Sequence, residues 1–97
     1  MPKGYWIAHV EVSDPDQYVH YVEGAKAAFK RFGATFLARG GQNTEVEGAL
    51  GRSRHVVIEF ASYQDALDCF NSPEYQAARE HRLPAGTASI TLVEGLD

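Results

Sequence analysis

The stretch Arg54–Phe60, RHVVIEF, and the segment Ser62–Tyr75 behind it decide the fold. Val56, Val57 and Ile58 are β-branched and consecutive, which reads as a strand buried on both faces. Charged residues flank the run. Tyr63, Ala66, Leu67 and Phe70 then recur at helical spacing, so a helix packs back beside the strand. Every other segment can be placed around this pair.

Upstream, Gly4–Val12 reads as a strand. Alternation sets Trp6, Ala8, Val10 and Val12 on a core face and Tyr5, Ile7, His9 and Glu11 on the other. Asp14 and Pro15 open a helix as N-cap and first residue. Tyr18, Val22, Ala25, Phe29 and Phe32 form its buried stripe, and Gly33 ends it. Gly24 in the middle lowers its propensity. A second strand spans 34–39, stopped by Gly40 and Gly41. Residues 45–50 are a doubtful extension of it, because Gly48 and Gly51 weaken a strand. Ser62 caps the helix after the central strand. Ser72 and Pro73 start another, expected over 73–82, and 83–86 is a loop. The last strand covers 87–94, with Ala88, Ile90 and Leu92 on one face and Ser89, Thr91 and Val93 on the other.

The order β-α-β-β-α(α)-β predicts an α+β, ferredoxin-like domain over 1–97, its four-stranded antiparallel sheet ordered 4-1-3-2 and covered by helices on one face. The net charge of −4 comes with no Lys/Arg run, which argues against nucleic acid and anionic membranes as partners. Apolar runs are too short to span a bilayer, and MPKGYWIAHV has no signal-peptide pattern. The single cysteine, Cys69, excludes an internal disulfide and reads as an inert, partly buried thiol. A cytoplasmic location is the default expectation. His9, His20, His55 and His81 lack metal-motif spacing, so no metal site is expected, and no glycine loop of the phosphate-binding type is present, so no cofactor is assigned.

Gly4–Trp6 (GYW), Asp14–Tyr18 (DPDQY), Phe36–Gly41 (FLARGG), Arg54–Tyr63 (RHVVIEFASY), Ser72–Gln76 (SPEYQ) and Val93–Gly95 (VEG) together resemble the DUF1330 family of the dimeric α+β-barrel superfamily. Ala61 stands where that family would have a proline. The resemblance implies a ferredoxin-like protomer whose sheet packs on that of a second protomer. It implies no reaction. The superfamily also holds haem-degrading and cofactor-free monooxygenases and muconolactone isomerases, which supports a small-molecule cavity by analogy alone.

Helices cover only one side of such a sheet. Tyr5, Ile7, His9, Glu11, Leu37, Arg39, His55, Val57, Glu59 and Val93 are expected on the open side, where so much apolar surface predicts a homodimer. Hairpin geometry puts His55 near Glu11 and Arg39, within two residues of register. A carboxylate beside an imidazole can hold its tautomer and raise its pKa, as a general base requires, so His55, His9 and Glu11 are the catalytic candidates. Tyr5, His9, Arg39, His55, Glu59 and Tyr75 are the candidate ligand contacts. Arg39 with Gly40 and Gly41 suits an anion nest, though a bulge or tight turn explains the glycines as well. Arg52 and Arg54 read as surface residues, either able to guard a pocket mouth. Ser72–Tyr75 is explained by capping, with Tyr75 as a possible pocket wall.

Two function classes remain open at this stage. One is a small-molecule binder or cofactor-independent enzyme with a polar pocket at the sheet face of a homodimer, with a monooxygenase of the superfamily's kind as a sub-case. The other is a non-catalytic dimeric module whose polar face sets register only.

Overall fold

Strands β1 (Gly4–Val12) and β3 (Arg54–Phe60) are the inner strands of a four-stranded sheet. The edges are β2 (Thr35–Arg39), beside β3, and β4 (Gly86–Glu94), beside β1. All pairings are antiparallel, and the order β2-β3-β1-β4 is the expected 4-1-3-2 read from the other edge. A computed structural model describes residues 2–96. Helices α1 (Pro15–Arg31), α2 (Tyr63–Asn71) and α3 (Pro73–Arg82) complete a ferredoxin-like α+β fold.

The helix starts follow from their caps. The Asp14 carboxylate accepts from the Gln17 N–H, the Ser62 hydroxyl from Asp65 and the Ser72 hydroxyl from Tyr75. Each satisfies an amide that a helix N-terminus leaves unpaired. Gly24 has a packing reason: a Cβ there would meet the Ala78 Cβ at 3.1 Å, so its absence lets α1 and α3 lie close. The segment 45–50 is an exposed loop, not a strand. Gly48 and Gly51 take φ of 63° and 74°, a left-handed conformation that an extended run cannot include. The expected loop at 83–86 contains a 3-10 turn, Leu83–Ala85, whose Ala85 carbonyl accepts from the Ser13 and Asp14 amides.

Trp6 centres the core. Its ring meets Phe29, Phe60, Phe70 and Tyr75 at centroid distances of 5.0–5.8 Å, and its Nε1 donates to the Ala66 carbonyl at 2.9 Å. That bond ties the middle of the sheet to α2 and satisfies the indole N–H in an otherwise apolar place. Val10, Val56, Ile58 and Phe60 extend the same face by the period of two.

One feature of the sheet corrects the sequence reading. The β2–β3 register shifts between Phe36 and Ala38: Phe36 stands opposite Ile58, but Ala38 opposite Val57. The extra residue reverses the parity beyond it. Arg39 therefore pairs with Val56 and faces the helices, not the open side.

Candidate functional site

Between the sheet and α1 lies a cavity of about 420 Å³. That is within the range of ligand cavities, about 300–1,000 Å³. Trp6, Phe29, Phe36 and Ile58 supply much of its apolar wall. Tyr18, Tyr21 and Val22 of α1 form its roof.

The charged part of the wall is all basic. Arg39 comes from β2, Arg54 from β3, Arg82 from α3 and Lys26 from α1. Among the described residues no carboxylate lines the cavity, and the three arginines belong to none of the ion pairs. Lys26 is held by Glu23 at 3.0 Å on the exposed side. Each arginine lies over an aromatic ring: Arg39 over Phe36 at 4.4 Å, Arg54 over Tyr18 at 5.9 Å and Arg82 over Tyr21 at 5.6 Å. Guanidinium groups are weakly hydrated and favour such faces. Arg82 is only 6% exposed. The Nε atoms of Arg54 and Arg82 are buried with no hydrogen-bond partner among the described residues. An uncompensated buried donor on a cation is expensive, so these two edges are the most reactive feature of the wall toward an anion.

Behind the roof, the Tyr21 and Tyr75 hydroxyls share a hydrogen bond at 3.0 Å. Burial pushes both hydroxyls above the ordinary tyrosine value. Tyr75's bond with Tyr21 and the Arg82 charge pull its value back in part, so both stay neutral hydrogen-bonding groups at neutral pH.

The open face carries a second polar arrangement. His9 and His55 are cross-strand partners, with Nδ1 atoms 2.7 Å apart and rings edge-on. His55 Nε2 is buried without a partner among the described residues. Farther along, the Tyr5 hydroxyl and the Lys3 ammonium each donate to Glu59 at 3.2 Å. The pairing of Val10 with Arg54 sets Glu11 beyond His55, and its carboxylate accepts from the Ser53 amide at 3.0 Å. The expected neighbours of His55, Glu11 and Arg39, are thus replaced by His9.

The structure separates the sequence candidates into three groups. Tyr5 joins Glu59, and His9 joins His55, on the open face. Arg39 reaches the cavity on the opposite side. Tyr75 is fully buried and touches the cavity through Tyr21. Gly40 turns at φ 69°, and its N–H donates to the His55 carbonyl, so the turn reading of the Arg39 glycines holds and the nest does not form. Arg82 was not among the candidates and Arg54 was read only as a surface residue able to guard a pocket mouth, yet both left a signal. Arg54 shares the parity of Val56, Ile58 and Phe60. Arg82 falls three- and four-spaced on the buried stripe Tyr75–Ala78–Arg82.

Among the described residues no group of three or more His, Cys, Asp or Glu is placed to hold a metal ion. Cys69 is buried, and burial pushes its thiol up to about 12.

Fold and cavity define a ferredoxin-like α+β domain with ligand-sized space between sheet and helices. The chain belongs to the family described as a domain of unknown function, DUF1330, whose model matches residues 3–96. No curated protein matches it. Solved structures share the fold at low identity. A protein of unknown function from Rhodopseudomonas palustris superposes with a TM-score of 0.77 at 15% identity, over 99% of this chain and 84% of that one. A dimeric ferredoxin-like protein of unknown function from Jannaschia sp. gives 0.73 at 11%, over 95% and 98%. SnoaB, a cofactor-independent oxygenase from Streptomyces nogalater, gives 0.66 at 12%, over 100% and 96%.

Proposed function

We propose that this chain takes a small organic molecule into the cavity between its sheet and α1, as a binding protein or cofactor-independent enzyme, and that it works as a homodimer joined through the open sheet face. The single observation that carries the ligand reading is the cavity itself: apolar wall, basic polar groups, and two buried guanidinium edges without a partner among the described residues. A native core rarely leaves such groups unmatched, and a ligand entering here would match them.

The homodimer reading rests on the other side of the sheet. Ile7, Leu37 and Val93 are 36%, 54% and 42% exposed. Apolar residues on one flat face, beside an unpartnered His55 Nε2, suit a self-complementary contact about a two-fold axis. The dimeric Jannaschia protein supports this by likeness. The open face then serves assembly, and the cavity of each protomer serves the ligand.

Trp6 is the chain's one tryptophan, and it lines the cavity. A neutral apolar probe, N-phenyl-1-naphthylamine, is expected to quench Trp6 emission saturably. Val22→Phe, which narrows the cavity, should weaken that quenching. Probe binding that leaves Trp6 emission unchanged, or no binding, would refute the cavity reading.

A further inference from the structure

We infer that the cavity is built for an organic carboxylate, with the carboxylate between Arg54 and Arg82 and an apolar, ring-sized body against Trp6, Phe29 and Ile58. This inference rests on the ligand reading above and adds the chemical class.

Charge comes first. The chain is acidic, at −4, yet among the described residues every charged group on the cavity wall is basic. Arg82 is 94% withdrawn from solvent by its 6% exposure, and no acid of the protein compensates it within the cavity. Fully buried cations are ordinarily paired with a carboxylate. The missing partner is therefore an anion supplied from outside.

Geometry narrows the anion. In both Arg54 and Arg82 the unsatisfied atom is Nε. The Nε–H and the neighbouring Nη–H form the parallel fork that a planar two-oxygen acceptor fits bidentately. The two guanidinium groups ride on Tyr18 and Tyr21, whose rings are 5.3 Å apart, so they bracket one region of the roof. A phosphate site of the usual kind would also offer backbone amides, from a nest or a helix N-terminus. The nearest such turn gives the Gly40 N–H to the His55 carbonyl, so it is not available. Apart from Arg39 and Lys26 the rest of the wall is aromatic and aliphatic, which suits an apolar body, and among the described residues only tyrosine hydroxyls stand there as side-chain acceptors for a sugar's or nucleoside's hydroxyls.

The test is isothermal titration calorimetry on the full chain with 2-naphthoate, 2-naphthamide and 2-naphthyl phosphate. The acid should bind at least about tenfold more tightly than the amide, the difference expected of a charge-assisted hydrogen-bond pair. Arg54→Gln should remove most of that difference. Arg82→Met should do the same, and Arg54, being only half-buried, keeps the test sound if the Arg82 variant misfolds. Arg52→Gln, outside the cavity, should leave the difference intact. Equal binding of acid and amide would overturn the inference while leaving the cavity reading, tested by the neutral probe, in place. Tighter binding of the phosphate than of the acid would overturn the carboxylate assignment.

Discussion

His9 and His55 face each other across the two inner strands with their Nδ1 atoms 2.7 Å apart. A neutral ring nitrogen either donates or accepts, so one ring gives its Nδ1 proton and the other offers a bare Nδ1. The bond requires at least one unprotonated ring.

Dimer strength should therefore depend on this pair, which lies on the open face. The charged neighbours at this end are Arg52, whose Nη1 donates to the His9 carbonyl, and Glu11, engaged by the Ser53 amide. β4 places only Ser89 opposite His9. Sedimentation of the His55→Ala chain should show a larger monomer fraction than that of the unsubstituted chain, because the His9 Nδ1 loses its partner. A monomer fraction left unchanged by the substitution would sink this account of the open face.

Arg82 should cost the empty protein stability. Even a buried ion pair can be replaced by apolar residues of similar volume at no cost or with a gain of about 1–4 kcal/mol, and an unpaired buried charge has less attraction to lose. Arg82→Met should keep or raise the Tm measured without ligand. A fall of more than about 5 °C, on the order of 1 kcal/mol for a domain this small, would mean the guanidinium is already well paired inside the protein.

Alkali should destabilise the fold from about pH 9 upward. Cys69 moves from 9.0 to about 12 on folding, and Tyr21 and Tyr75 move above 10.0, chiefly through burial. All three values are raised, so the unfolded chain releases these protons first as pH rises. Their stabilisation is fully present below the unfolded values and is lost through the folded ones. Chemical denaturation at pH 8, 9 and 10 should show stability declining over the last step. Tyr75→Phe should lessen the decline, at a cost of about 1 kcal/mol for the lost hydroxyl bond. Stability flat from pH 8 to pH 10 would contradict the burial of these groups.

Much of the fold is legible in the sequence because its signals are local. Asp14, Ser62 and Ser72 each announce a helix start, and Val56–Ile58 announces an inner strand. The site is less legible because it depends on register. One extra residue at Leu37–Ala38 has no signature of its own, yet it carries Arg39 from one side of the sheet to the other. A shift of two residues in pairing exchanges Glu11 for His9 as the partner of His55. Arg54 and Arg82 lie at core positions of their own elements, but charge alone suggests surface. Only the convergence of three elements turns those positions into a cavity wall.

The most direct measurement is the Nε–H spectrum of the arginines in the labelled full chain. With no ligand, Arg54 and Arg82 have buried Nε–H groups without an acceptor among the described residues. On addition of 2-naphthoate, both resonances should move downfield and exchange more slowly with water, while that of Arg52 stays in place. Unmoved Arg54 and Arg82 resonances, with shifts at His9 and His55 instead, would locate the ligand on the open face and contradict the account.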